Sequence, residues 1–392
     1  MGAGSPGIRG NQLFGFREVP AVKTDCRSAK LRNGGSVKNV AVIGAGVSGL
    51  SAALELSRSG CRVVVFEKSR GLSGRAATRR RGNWSIDHGA SFFRTSDAEV
   101  AHLIHETLPS DDLVEIRGDV WTFNRDGLIT TGDPELNAEP KFSYRRGIST
   151  LGKLLQEFSG VEVHRSQRVT RLHRTEQGWQ VENEAGDVRG EYDSVIVSIP
   201  APQAAELMRA CAFPESLHTT LANALAIARY DPQFSFMLGF RYRLPLVKRF
   251  HALVNSDGEH PVSWLSFEED KPGHVPDGSS LLVVQMSRWW SSAHLDDQPE
   301  KLLPEVLEHT SALLPEVENM PDWWDSQRWL LAAPRNGVDV KALEKGEASG
   351  LYFAGDGLVG RGRIPLAIKS GLACARKLCA RPRGGMGNRI ST

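Results

Sequence analysis

The sequence predicts an α/β protein of two lobes: a discontinuous lobe built on a parallel sheet, and an inserted α+β lobe on a mixed or antiparallel sheet. Three stretches predict it. Residues 40–67 read as strand, glycine-rich turn, helix and second strand. Tyr192 to Ile199 is a near-continuous apolar run, the pattern of a strand covered on both faces, and Pro200 and Pro202 stop it. From 201 to 346 the composition shifts, and six of the nine tryptophans fall there: Trp264, Trp289, Trp290, Trp323, Trp324 and Trp329. Such density suits an aromatic-walled pocket and equally suits core packing. A chain of 392 residues is long enough for both lobes.

In the first stretch Val40-Ala41-Val42-Ile43 leads into Gly44-Ala45-Gly46-Val47-Ser48-Gly49. Residues with helical spacing follow to Leu56, and then comes Val63-Val64-Val65-Phe66-Glu67. Each glycine has a separate task. Gly44 permits the tight turn out of the strand, Gly46 keeps a Cβ out of the path of a pyrophosphate, and Gly49 lets the helix lie close to the sheet. The helix opening at Val47 and Ser48 aims unpaired N–H groups and the positive end of its dipole at phosphates. Glu67 ends the second strand, placed to accept from an adenosine ribose, and an acid there opposes a 2′-phosphate. Strand, helix and terminal acid in this order predict a Rossmann-type dinucleotide site.

Lysine plus arginine (48) nearly balance aspartate plus glutamate (46), so the net charge of +2 gives no reason to invoke nucleic acid. No apolar run is long enough to span a bilayer. The five cysteines, Cys26, Cys61, Cys211, Cys374 and Cys379, are odd in number and lack CxxC spacing. That suits a reducing compartment, with neither a disulfide framework nor a zinc site. No HExxH, GxSxG or His/Cys cluster appears, so no metal is expected. Residues 1–36 carry Arg9, Arg17, Lys23, Arg27, Lys30 and Arg32 against Glu18 and Asp25, without an apolar signal core. A transit peptide and a disordered tail both fit, leaving the location cytoplasmic or organellar, plastid or mitochondrial.

Past Glu67 and Lys68, Gly74-Arg75 can bring a guanidinium to the pyrophosphate. Arg79-Arg80-Arg81 reads as a solvated hairpin face. Asp87-His88-Gly89-Ala90 follows, with Phe92 and Phe93 behind it. Asp119 to Phe123 reads as a strand, Asp126-Gly127 as a turn, and Leu154 and Leu155 sit in a helix. Val161 to His164, Arg168 to Leu172 and Trp179 to Val181 alternate as strands, the last pairing back as a meander.

The GAGVSGL turn, the VVVFEK strand, the Gly-Arg pair and Asp-His-Gly-Ala with its aromatics together resemble the amine-oxidase superfamily of FAD proteins. Within it the chain is most similar to the renalase-like, NAD(P)/FAD-dependent oxidoreductases, from about Val37 to Leu378. The resemblance implies a non-covalent FAD contacted by Gly44, Gly46, Val47, Ser48, Gly49, Glu67 and Lys68. It extends those contacts to Gly74, Arg75, His88, Gly89 and Ala90, and it promotes Val169, otherwise a plain strand valine, to a backbone contact with adenine. Gly355-Asp356, after the strand Leu351-Tyr352-Phe353, then places a carboxylate by the ribityl hydroxyls. Arg363 and Ile364 open a last helix whose positive end, facing the flavin, favours the reduced ring. The relatives carry Arg-Val-Glu-Gly-Ala where this chain has Arg363-Ile364-Pro365-Leu366-Ala367. That departure touches substrate identity and leaves FAD binding intact.

On this resemblance 37–95, 147–200 and 346–380 form the FAD-binding domain, and 96–146 with 201–345 form the substrate domain. A leader of 1–36 and a tail of 381–392 flank them. The implied reaction removes a hydride from a C–H next to nitrogen, on an amine or on a reduced nicotinamide dinucleotide isomer, with reoxidation by dioxygen. Trp329, Arg328 and His88 are the catalytic candidates: Trp329 to stack on nicotinamide or flavin, Arg328 with Arg335 to meet phosphates, His88 as acid or base. His251, His274 and His294 read as structural. A small-molecule substrate, a monomer or homodimer and no integral membrane segment are expected. Two alternatives stay open: a desaturase or isomerase of an apolar substrate, and a dinucleotide-binding module without turnover.

Overall fold

The computed structural model describes residues 37–211, 215–246, 250–317 and 319–381. The leader 1–36 with Cys26, and the tail beyond Arg381, lie outside the described residues, and so does the choice between transit peptide and tail.

Five parallel strands form one sheet in the order Leu351–Phe353, Ser194–Val197, Asn39–Ile43, Arg62–Phe66, Glu162–His164. Its central residues, Val40, Ala41, Val42, Val195 and Ile196, are fully buried, so both faces need a cover. The helices Val47–Arg58, Thr150–Ser159 and Ile364–Ala380 cover one face through Leu50, Leu54, Leu155, Ile368 and Leu372. The other is covered by the antiparallel meander Val169–Arg174, Trp179–Asn183, Val188–Tyr192 and by the helix Ala201–Ala210. The last helix crosses the first so closely that a Cβ on Gly371 would lie 2.1 Å from the Ser48 carbonyl oxygen. The apolar run read from Tyr192 divides at Asp193, which ends the meander and accepts from Asn39 N at 2.7 Å, leaving Ser194–Val197 as the parallel strand.

A second sheet has seven strands in the order Trp323–Pro334, Tyr230–Phe240, Ser280–Met286, Val262–Phe267, Phe250–Asn255, Asp119–Phe123, Ile129–Thr130. All its pairings are antiparallel except that of Asp119–Phe123 with Phe250–Asn255, so the sheet is mixed. Phe234, Phe236, Leu265, Val284 and Trp290 pack under the helix Pro299–Leu313.

The packing does not divide at 96 and 201. Val100, Leu103, Ile104 and Leu108 enter the parallel-sheet core, and so do residues of 201–228 on its opposite face. An amphipathic helix shows in sequence that it has an apolar face, not which sheet will receive it.

Candidate active site

The glycine turn sits at the carboxyl edge of the parallel sheet. Gly44 has φ +106°, which only glycine adopts without strain, and its N–H donates to Phe66 O at 2.8 Å. Glu67 is buried, and its carboxylate accepts from Ala45 N at 2.7 Å and Ser69 N at 2.8 Å, tying the turn to the end of the second strand. A Cβ on Gly49 would lie 2.1 Å from Gly44 O, whereas one on Gly46 would meet nothing within 4 Å. Gly46 opens the helix Val47–Arg58 without a side-chain cap. Beside it the hydroxyls of Ser48 and Ser73 are buried and unpartnered. Free space, uncapped helix N–H groups and orphaned hydroxyls in one place fit a pyrophosphate.

Arg75 reaches the opposite end of the chain. Its guanidinium donates to Asp356 Oδ1 at 2.9 Å and pairs with Oδ2 at 2.8 Å, a two-point grip, and it also reaches the carbonyls of Leu331 and Ala332. The Tyr230 hydroxyl donates to Asp356 Oδ1 at 3.0 Å, and burial together with that carboxylate pushes the phenol well above its usual range. Gly355, at φ +126°, donates its N–H to Ser370 Oγ of the last helix at 2.9 Å.

His88 is buried, its ring stacked on Trp329 with centroids 5.4 Å apart and planes 17° off parallel. Trp329 Nε1 donates to His88 O at 3.1 Å, and Gln285 Nε2 to Gly89 O at 2.7 Å. Gly89 lies so near Arg75 O that a Cβ would come within 2.1 Å of it, while Ala90 N donates to that oxygen. Burial first, then the Arg79 charge, lowers His88 to about 4, so the ring is neutral at neutral pH, and its Nδ1 has no partner.

The structure therefore brings His88, Gly89, Trp329, Arg75 and Asp356 together. Arg328 is left out: alternation along the strand turns it to the other face, where it is exposed and donates to Leu295 O. Arg335 is paired with Asp231. Lys68 is exposed and donates to Gln203 Oε1. Val169 stands two residues beyond Gln167, whose N–H donates to Glu67 O at 2.9 Å. Arg363 is the exposed cap of the last helix, and Ile364 is buried beneath it. The arginine hairpin is less solvated than its sequence suggests, since Arg79 crosses to Ser326 O, Gln327 Oε1 and Asp325.

One cluster went unread in the sequence. Asp87, Glu268, Lys271 and His274 are fully buried together. Lys271 Nζ lies 2.6 Å from Glu268 Oε1 and 3.2 Å from Asp87 Oδ2. His274 Nδ1 is 2.9 Å from Glu268 Oε2, with Nε2 2.9 Å from Tyr144 O, which is the structural role expected of it. The two carboxylates and the imidazole have the spacing of a metal site. The Lys271 ammonium, within reach of both carboxylates, supplies the positive charge there. Asp87 further accepts from Thr78 Oγ1, Ser143 Oγ and Ile148 N, and so anchors the chain at the residue before His88. The Glu-x-x-Lys-x-x-His spacing of 268–274 was the one available signal.

Two family descriptions match the chain: NAD(P)-binding Rossmann-like domain over residues 42–107, and flavin containing amine oxidoreductase over 115–379. The mitochondrial protoporphyrinogen oxidase of Nicotiana tabacum is 42% identical over 69 residues, 18% of this chain and 14% of that protein. The 4,4'-diapophytoene desaturase (4,4'-diaponeurosporene-forming) of Staphylococcus haemolyticus is 31% identical over 99 residues, 24% of this chain and 20% of that protein. Among solved structures, putrescine oxidase bound to putrescine shares the fold at a TM-score of 0.67 and 14% identity, over 88% of this chain and 100% of that one. The match over 115–379 takes in well over half of the sequence, and the chain accordingly belongs to the flavin containing amine oxidoreductase family.

Proposed function

We propose that the chain is an FAD-dependent oxidase of renalase-like specificity. It takes a hydride from a C–H next to nitrogen, on an amine or on a reduced nicotinamide dinucleotide isomer, and the electrons pass to dioxygen. The observation that carries this reading is the meeting of Gly44–Glu67 and Gly355–Ile364, from opposite ends of the chain, around the Arg75–Asp356 pair. In an open parallel sheet, ligands bind at the carboxyl ends of the strands.

A bound flavin supplies the hydride acceptor and its reoxidation. The chain's own part is to bind, orient and hold protons. The space over Gly46 and the N–H groups of Val47 and Ser48 receive the pyrophosphate, and Ser48 Oγ and Ser73 Oγ gain the partners they lack. Glu67 keeps lone pairs for ribose hydroxyls beyond the two N–H groups it accepts. Asp356, balanced by Arg75, accepts from hydroxyls without carrying an uncompensated charge. His88 and Trp329 form a flat wall, and the neutral imidazole offers Nδ1 to a substrate group without adding charge.

A second reading, turnover of an apolar substrate, is favoured by the half-buried ring pair of Phe92 and Trp264, 5.9 Å apart. One experiment separates the two. The purified protein is boiled and the released yellow compound identified by chromatography; the intact protein is then titrated without air. Bleaching by amines or dihydronicotinamide isomers is the expected result. A protein that these donors leave yellow, but that binds and alters a polyene or fatty acid, would overturn it.

A further inference from the structure

The inserted lobe carries a second group of ligating side chains, away from the glycine turn, where the helix Arg288–Ala293 meets the helix Pro299–Leu313. Glu305 stands at its centre. Glu305 and His309 are four residues apart on one helix and so share a face, and His309 Nε2 lies 3.4 Å from Glu305 Oε1. His294, just past the end of the first helix, brings its Nε2 to 4.0 Å from Glu305 Oε2. Its other ring nitrogen, Nδ1, is 2.8 Å from Asp297 Oδ2. The buried Trp290 holds the arrangement from beneath: its indole N–H donates to Glu305 Oε1 at 2.6 Å, and its ring packs on that of His294 with centroids 4.3 Å apart. The turn is closed by Asp297 N, which donates to His294 O at 3.1 Å, and His309 is braced edge-on against the buried His260 ring. The charges differ from those around Asp87, where the Lys271 ammonium sits between two carboxylates. Here, among the described residues, no lysine or arginine pairs with Glu305 or Asp297, and the Arg328 guanidinium at the same turn is bonded to Leu295 O.

We propose that His294, Glu305 and His309 bind one divalent cation of the zinc class, with Asp297 as the outer carboxylate behind His294. Imidazole nitrogen and carboxylate oxygen are the donors that suit such an ion. A tetrahedral zinc with bonds of about 2.0 Å sets neighbouring donor atoms roughly 3.3 Å apart, and the His309–Glu305 separation of 3.4 Å already matches. The His294–Glu305 gap has to shorten by roughly 0.7 Å, a movement within reach of a χ turn because both rings are partly exposed. A hydrogen bond from Nδ1–H to Asp297 selects the neutral His294 tautomer whose Nε2 lone pair faces Glu305, the order of carboxylate, histidine and metal. Three protein donors leave a fourth position for water. A bound ion ties the turn 294–297, which Arg328 grips through Leu295 O, to the helix Pro299–Leu313. It thereby stiffens the lobe behind the strand that carries Trp329 on its other face.

The test uses the full-length protein, stripped with EDTA, desalted and titrated with zinc chloride by calorimetry beside His294→Gln, His309→Ala and Asp297→Asn. The expected result for the unaltered protein is one saturable site and a thermal unfolding midpoint that rises with zinc and falls back on adding chelator. Cobalt(II) in place of zinc should give the intense visible bands of a four-coordinate ion. Asp297→Asn should weaken zinc binding by about 10–100-fold, the range for losing a partner behind a metal-bound histidine. His294→Gln and His309→Ala should weaken it further and remove the cobalt bands. Absence of saturable zinc binding would overturn the proposal. So would binding that both histidine substitutions leave unchanged, as zinc held by the cysteines would be.

Discussion

Gly46 and Gly49 stand three residues apart and should answer added carbon in opposite ways. A side chain on Gly46 points into free space. Gly46→Val is therefore expected to melt like the wild-type apoprotein yet retain no flavin, as absorbance and thermal scans would show. On Gly49 even one methyl lands against Gly44 O. Gly49→Ala should cost roughly 1–3 kcal/mol of stability with or without cofactor, read from the denaturant midpoint. Glu67→Ala removes the acceptor of two backbone N–H groups, a loss of about 1–3 kcal/mol, and it should also weaken flavin retention. Full flavin occupancy in the Gly46 variant would remove the pyrophosphate from that position.

The element that holds His88 in place is the hairpin Thr78–Arg81 with Trp84–Asp87, anchored through Asp87 to Lys271, Glu268 and His274. Burial alone would raise Glu268, but Lys271 and His274 outweigh it and hold the carboxyl at about 2, below its ordinary 4.5. His274 is held above its ordinary 6.5: burial opposes this, and Asp87 and Glu268 prevail. The signs follow by linkage. Stability from Glu268 is complete above 4.5 and is lost as pH falls toward 2, while that from His274 is complete below 6.5 and is lost as pH rises through its folded value. Lys271→Met should cost about 3–5 kcal/mol near neutrality and move acid unfolding to higher pH. Equal acid midpoints for the two proteins would contradict the assigned charges. The glycine turn and the strand at Val195 were legible because each is written in contiguous residues. The Asp87 cluster was not, since nothing local ties residue 87 to 268–274. Arg328 misled for a related reason: adjacent to Trp329 in sequence, it lies on the opposite face once the segment is known to be a strand.

At the scale of the molecule, the Arg75–Asp356 pair joins the segment that follows the strand Arg62–Phe66, the segment that follows the strand Leu351–Phe353 and the carboxyl half of the large sheet's edge strand Trp323–Pro334. Asp356→Asn should leave the Arg75 charge without its carboxylate counter-charge and lower flavin occupancy, measured as the ratio of flavin to protein absorbance after gel filtration. An unchanged ratio would confine the pair to a structural role. The order of strands adds a temporal dimension. Leu351–Phe353 and the helix that packs across Ser48 are the last parts of the described chain to leave the ribosome. Until these residues are made, the cradle is half-built and the first helix lacks the mate that packs across it. A chain cut short before residue 351 should therefore be colourless and readily digested by protease.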